Sequence, residues 1–166
     1  MAQITVVFDD KCIVKDGVGL HYEGDDVAIF DALVTAQGDT GLHAIQWDGS
    51  TGHCEYKDKS PQTSITAEKA NAYSTAYDEE IERIKQARRT LFLAQDAQAW
   101  GRENRDILIA ETDWWAGSDH TMTQAQIDYR QALRDLPSTD NWNPTLTWDD
   151  DTWEGSLTGI TWPTKP

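Results

Sequence analysis

The chain has 166 residues, enough to bury a hydrophobic core in one domain or in two small ones. Its formal net charge of −15 disfavours binding to nucleic acid or to an anionic membrane. No apolar run approaches the roughly 20 residues that a membrane span needs. The N-terminal residues lack the features of a secretory signal, and Cys12 and Cys54 are too few for a disulfide scaffold, so a reduced cytosolic compartment fits.

The first part of the chain, residues 1–62, predicts a small β-rich module with one short helix. β-branched and apolar runs predict strands, and apolar–polar alternation on either side of Asp48-Gly49 predicts a β-hairpin. Acidic residues before the helix would lie at its positive end. The predicted elements are strands at 4–8 and 12–14, a helix at 27–34, and hairpin strands at 42–47 and 53–57, with Pro61 ending the β region.

Residues 63–137 predict a long helix that begins after Thr66 and leads into an αα-hairpin. Apolar residues recur at spacings of three and four, at Ala70, Tyr73, Tyr77, Ile81, Ile84 and Leu91. That spacing favours a helix packed on its own domain, with a self-associating coil as the alternative. Gly101 weakens the helix by about 1 kcal/mol relative to alanine, and the pattern resumes through Ile107 and Leu108.

The αα-hairpin is predicted from a turn between two short amphipathic helices. The first helix ends at Thr112-Asp113, and residues 114–119 form the turn. Thr121 or Thr123 caps the second helix, and Pro137 stops it.

Residues 138–166 differ in composition from the rest and predict an extended arm that contains tryptophan and proline. No helical period is present, although 145–148 and 159–162 could each be a strand. Such a segment buries itself poorly, so it is either a loose tail or an arm that becomes ordered on a partner. Because large rings are the usual anchors of protein interfaces, the candidate partner-binding residues are Trp142, Trp148, Trp153, Trp162 and Pro163.

No catalytic or metal-binding constellation stands out, so we expect no cofactor, no metal and no enzyme activity. His43 and His53 could face each other across the hairpin, which gives at most two metal ligands. Cys54 has no evident group to orient a general base. Asp149-Asp150-Asp151 matches a calcium loop poorly and is interpreted as a solvated turn.

An ordered set of motifs near the C-terminus resembles the phage tail assembly chaperone family, which includes tail-fibre assembly proteins. The resemblance covers roughly residues 102–137 plus the closing dipeptide. The motifs are Arg105-Asp106-Ile107-Leu108 leading to Thr112-Asp113-Trp114, then Tyr129-Arg130-Gln131-Ala132-Leu133-Arg134-Asp135, and finally Trp162-Pro163. The hairpin at 43–56 also looks like an N-terminal module of phage tail-associated proteins.

Physical chemistry predicts mainly structural roles for the motif residues. Trp114 would cover the open end of the helix pair, and Tyr129 would pack toward the first helix. Arg130 and Arg134 lie four residues apart and would pair with Asp106 or Glu111. The motif residues in this group are Arg105, Asp113, Trp114, Tyr129, Arg130, Leu133 and Arg134.

The resemblance implies a non-enzymatic protein that binds and chaperones a tail fibre or another tail component in the host cytoplasm. The sequence departs from the family after Trp148, where residues 149–166 extend past a family-like ending. That extension favours the alternative of a permanent virion subunit, a fibre or baseplate accessory protein retained in the tail. A small hydrolase or metal-binding enzyme is the third class. Together the patterns predict an α+β fold with a β-rich module, a long helix, an αα-hairpin and an extended arm.

Overall fold

The computed structural model describes residues 1–117 and 120–166, and over these residues the fold is α+β, as predicted. The chain divides into two compact units, Met1–Ile84 and Lys85–Pro166. The division falls inside the long helix, whereas the sequence suggested three segments at 1–62, 63–137 and 138–166. No helix among the described residues is both long enough and apolar enough to cross a bilayer.

Unit 1 is built on a six-stranded antiparallel sheet with the strand order β3-β2-β1-β4-β5-β6. Its strands are β1 (Ile4–Val7), β2 (Cys12–Lys15), β3 (Val18–His21), β4 (Leu42–Trp47), β5 (Gly52–Tyr56) and β6 (Thr63–Ser64). The predicted strands and hairpin are confirmed, but β3 was not predicted. The prediction that Pro61 ends the β region is wrong, because the short β6 follows it and pairs with β5.

Two helices supply the other side of the unit 1 core. Helix α1 (Val27–Gln37) ends at Gly38, whose φ of 72° is the left-handed conformation that glycine adopts most readily. Helix α2 (Ala67–Leu93) buries Ala70, Tyr73 and Tyr77, with Ile81 partly buried against the same core. The periodic face of α2 therefore packs on its own domain, as the sequence favoured.

A break separates α2 from the next helix, α3 (Ala97–Ala110). The sequence predicted one helical stretch weakened at Gly101. The helices instead part at residues 94–96, where the Asp96 carboxylate accepts hydrogen bonds from the backbone N–H groups of Gln98 (2.8 Å) and Ala99 (3.1 Å). Leu91 was assigned to the buried face but is 74% exposed, and the neighbouring Phe92 packs in its place.

In unit 2 the predicted αα-hairpin is present. Helix α4 (Gln124–Asp135) follows Thr123, which forms a reciprocal capping box with Gln126. A short 3₁₀ helix, Asp113–Ala116, overlaps the start of the turn that was predicted at 114–119. Residues 118 and 119 of that turn lie outside the described residues.

The C-terminal segment is a β-hairpin within unit 2, so the prediction of a loose or partner-ordered arm is wrong for most of its length. Strand β7 (Trp142–Asp149) pairs antiparallel with β8 (Glu154–Ile160). Alternate residues of β7 are partly or fully buried, whereas Thr145 and Thr147 between them are exposed. The sequence did not predict that the buried residues of β7 pack against α3.

Candidate protein-interaction surfaces

The side chain of Arg130 links helix α4 to the end of helix α3 and to the following turn. Its Nη1 donates hydrogen bonds to Thr112 Oγ1 at 2.7 Å and to the carbonyl oxygen of Ile109 at 3.2 Å, and its Nη2 donates to Asp113 Oδ1 at 2.8 Å. Arg130 and Thr112 are both buried. The guanidinium thus donates to the buried Thr112 hydroxyl oxygen and adds a further donor to the Ile109 carbonyl, which also accepts from the N–H and hydroxyl of Thr112.

A small aromatic cluster lies beside Arg130. Trp115, Tyr129 and Leu133 are buried together, with the rings of Trp115 and Tyr129 6.1 Å apart. Trp114, which was expected to cover the open end of the helix pair, is 67% exposed. Its neighbour Trp115 fills that place, so Trp114 presents its ring to the surface.

The predicted ion pairs across the helix pair differ from those in the structure. Arg130 pairs with Asp113 rather than with Asp106 or Glu111. Asp106 pairs with Arg105, the residue before it, and Glu111 lies 3.3 Å from the ammonium group of Lys165. Arg134 lies at the surface on α4.

The buried face of the β7–β8 hairpin packs closely against helical residues of unit 2. The Phe92 ring lies 5.7 Å from Trp148 and 5.5 Å from Trp100. A Cβ atom at Gly155 would lie 2.3 Å from the Phe92 ring, so this strand position has no room for a side chain. The absence of a side chain at Gly155 lets Phe92 approach the strand backbone.

Gly101 on helix α3 likewise lets an aromatic ring approach the backbone closely. A Cβ atom there would lie 2.9 Å from the Trp142 ring and 3.1 Å from Ile160 Cδ1. The indole N–H of Trp142 donates to Gln98 Oε1 at 2.6 Å, which fixes the ring across the helix. The glycine that weakens the helix is therefore a docking position for the hairpin.

The remaining candidate residues of the C-terminal segment also have neighbours within unit 2. The ammonium group of Lys85 lies 5.6 Å above the Trp153 ring. Trp162 packs against the Trp115 cluster and meets Trp142 edge-on at 6.3 Å. Pro163 is half-buried. The expectation that this segment has little to pack against is wrong, and partner binding through its partly exposed rings stays a prediction.

The outward side of α3 carries an apolar surface that is more exposed than the rings of the C-terminal segment. The sequence did not predict this surface. A shallow groove there, of about 580 Å³, is lined by Ala99, Arg102, Glu103, Asp106, Ile107 and Ala110. Ile107 is 52% exposed, although its pattern placed it with Leu108 on the buried face. We use the name α3 surface for two exposed apolar side chains, Ile107 on α3 and Trp114 in the 3₁₀ helix that follows α3. Three consecutive apolar residues, Ile107 to Ile109, span about 200° of a helix, so they cannot all face one cluster; Leu108 and Ile109 pack against the Trp115 cluster and Ile107 is left outside.

The arrangements considered for catalysis or metal binding do not form. His53 lies opposite Gln46, and a bulge shifts the register near His43, which instead bonds to Asp9. Burial raises the pKa of the Cys54 thiol, the reverse of what an activated thiolate needs. Over residues 1–117 and 120–166, no group of three His, Cys, Asp or Glu side chains is placed to hold a metal ion.

The Asp149-Asp150-Asp151 run is a turn, as interpreted from the sequence. Asp149 Oδ1 accepts hydrogen bonds from the N–H groups of Asp151 (2.8 Å) and Thr152 (3.1 Å), which lower the pKa of the Asp149 carboxyl group. Asp150 reaches Arg89 at 3.5 Å. These carboxylates thus close the β7–β8 hairpin.

Comparison with known protein families, with curated proteins and with solved structures finds no match to this chain.

Proposed function

We propose that this chain is a non-enzymatic phage tail or tail-fibre assembly protein that binds and chaperones a tail fibre or another tail component. The observation that carries the proposal is that residues from two of the motifs behind the family resemblance form hydrogen bonds with one another. Arg130 of the second motif donates hydrogen bonds to Thr112 and Asp113 of the first motif, and this network joins α4 to the end of α3 and the following turn. Residues that are distant in the sequence thus hold α3 and α4 together, while the exposed ring of Trp114 could contact a partner.

In this role the protein would cover apolar or unpaired strand surface on an immature fibre and keep that surface from aggregating. The α3 surface offers exposed apolar side chains for such a contact. Since acidic residues outnumber basic ones by 29 to 14, the complex would also remain soluble while assembly proceeds.

A permanent fibre or baseplate accessory protein is the second candidate. The sequence extension over 149–166, past a family-like ending, favours it. The packing of β8 within unit 2 weakens the argument from a free arm, because that part of the extension already has intramolecular contacts.

The first experiment is mass spectrometry of mature particles of the phage that encodes the chain, with copy number relative to the fibre protein. A transient assembly factor is expected to be absent from particles and to co-purify with the fibre from infected cells. A fixed ratio in particles would instead assign the permanent role. Absence from particles together with failure to recover any tail protein would contradict both candidates.

The α3 surface can be tested in the same co-purification. We expect the double variant Ile107→Ser with Trp114→Ser to recover about tenfold less fibre, because removing two exposed interface anchors costs on the order of 1 to 2 kcal/mol or more. Leu91→Ser is the control, since it removes from α2 an apolar side chain that is more exposed than either Ile107 or Trp114. Equal recovery with the α3 variant and the control would show that the fibre binds elsewhere.

A further inference from the structure

Strand β8 has an unpaired edge whose regularly paired part, residues 154–158, contains no proline and no lysine. Its sheet has two strands, and no described residue pairs with the side of β8 that faces away from β7. The register is continuous over five residue pairs, from Thr145–Thr158 to Asp149–Glu154. Alternate residues of an antiparallel edge strand point N–H and C=O groups outward, so this edge offers a regular row of unpaired backbone groups.

The other edges among the described residues are better protected. Strand β7 contains Pro144, which has no N–H group. The register irregularity between Trp142 and Thr145 lies opposite Gly159 of β8, whose φ is 77°, so it ends the regular pairing of both strands. In unit 1 the edge strands are β3, with four residues, and β6, with two. Within β8, by contrast, the seven residues contain no proline and no lysine.

We propose that the free edge of β8 binds an extended, basic segment of the partner by strand addition. The inference rests on the proposed function, because it names how a chaperone of this kind would hold an unpaired fibre strand. Outward N–H and C=O groups are complementary to another extended backbone and not to a helix. The pairing would add a third strand to the β7–β8 sheet.

The negative charge beside β8 favours a basic segment as the added strand and disfavours a second copy of this chain. The turn before β8 places exposed Asp151 and Glu154 at one end of the edge. Asp149 accepts hydrogen bonds from backbone N–H groups, and Asp150 lies 3.5 Å from Arg89. Asp151 and Glu154 are therefore the carboxylates that would meet lysine or arginine. Two copies, each with a formal charge of −15, would repel one another.

The test uses the full chain, labelled with ¹⁵N, and synthetic peptides of alternating threonine and valine with lysine at both ends. Amide hydrogen exchange is followed by NMR with and without peptide. We expect the outward amides of β8 to exchange about tenfold more slowly with saturating peptide, while the β3 amides remain unchanged. A peptide with alternate backbone nitrogens methylated keeps the side chains but cannot pair, and it should have no effect.

Two further comparisons test the charge argument. A peptide of the same alternating sequence with glutamate in place of lysine at both ends should bind at least about threefold more weakly than the lysine peptide, and physiological salt should reduce the difference. Asp151→Asn with Glu154→Gln should remove the preference for lysine, whereas Glu103→Gln with Asp140→Asn should retain it, because these exposed carboxylates lie outside the turn.

Unchanged β8 exchange, or equal binding of the methylated peptide, would overturn the inference. This failure is distinguishable from failure of the proposed function. If the fibre co-purifies with the chain while the β8 amides gain no protection from exchange, the assembly role is supported and strand addition is contradicted. If β8 pairs with the lysine peptide but no tail protein is recovered from infected cells or particles, the assembly role falls.

Discussion

At the scale of single residues, close packing outweighs intrinsic helix preference at Gly101. Alanine is favoured over glycine inside a helix by about 1 kcal/mol when nothing else touches the position. In α3, however, a methyl group would overlap the Trp142 ring, which approaches to 2.9 Å, and the Trp142 side chain is held by its bond to Gln98.

We expect Gly101→Ala to destabilise unit 2 by about 1 to 3 kcal/mol, the usual cost of overpacking. The measurement is chemical unfolding followed by tryptophan fluorescence, which reports on unit 2 because all tryptophans except Trp47 lie there. The control Ala110→Gly, at an exposed α3 position, should cost about 1 kcal/mol by helix preference alone. A stabilised Gly101→Ala variant would contradict the docking of Trp142 on this glycine.

Arg130 and Arg134 lie one helical turn apart on α4 but differ in what they contact. Arg130→Met should lower the free energy of unfolding by about 1 to 3 kcal/mol, because it leaves the buried Thr112 hydroxyl oxygen without its donor; the Ile109 carbonyl keeps its bonds from the N–H and hydroxyl of Thr112. The pair with Asp113 contributes little, since that carboxylate is 65% exposed. Arg134→Met should change the free energy by less than about 0.5 kcal/mol. Similar losses in the two variants would contradict a special role for Arg130.

At the scale of elements, the β7–β8 hairpin has an apolar face that the helices of unit 2 cover. Phe92, Trp100 and Trp148 form its contact with the end of α2 and the start of α3. A two-stranded hairpin alone is marginal in water, so this contact explains its persistence.

The neighbours Phe92 and Leu91 provide a matched test of that contact. Phe92→Ala should destabilise unit 2 by about 2 to 4 kcal/mol and speed amide exchange in β7 and β8, because it removes the ring between the helix and the strands. Leu91→Ala, at a residue that is 74% exposed, should cost less than about 0.5 kcal/mol. Fast exchange throughout the hairpin of the unaltered chain would restore the loose-arm interpretation.

At the scale of the whole molecule, the net charge of −15 opposes compaction through self-repulsion. Several exposed ion pairs act in the other direction, but pairs of this kind each contribute roughly 0 to 1 kcal/mol.

We therefore expect the melting temperature to rise as sodium chloride is increased from low to physiological concentration, because screening acts over about 8 to 10 Å and relieves the repulsion. Calorimetry would measure this shift. A variant with Asp25→Asn, Glu79→Gln, Glu103→Gln and Asp140→Asn, all exposed positions, should show a smaller salt effect. A melting temperature that falls with salt would mean that ion pairs outweigh the repulsion.

The sequence by itself determined the features that depend on local pattern. Alternation over residues 42–56, the spacing of Ala70, Tyr73 and Tyr77, and the Thr123 cap predicted the first hairpin, the buried face of α2 and the start of α4. These signals are readable because period and capping are properties of neighbouring residues.

Only the tertiary structure decided which surfaces cover one another. It placed Trp115 inside and Trp114 outside, and it paired Arg130 with Asp113. It also packed Trp142 against α3 and Trp148 against Phe92. Adjacent residues of one type look alike in sequence, and a long-range contact leaves no local period. The burial of an aromatic ring depends on what lies opposite it, and only the folded chain brings those residues together.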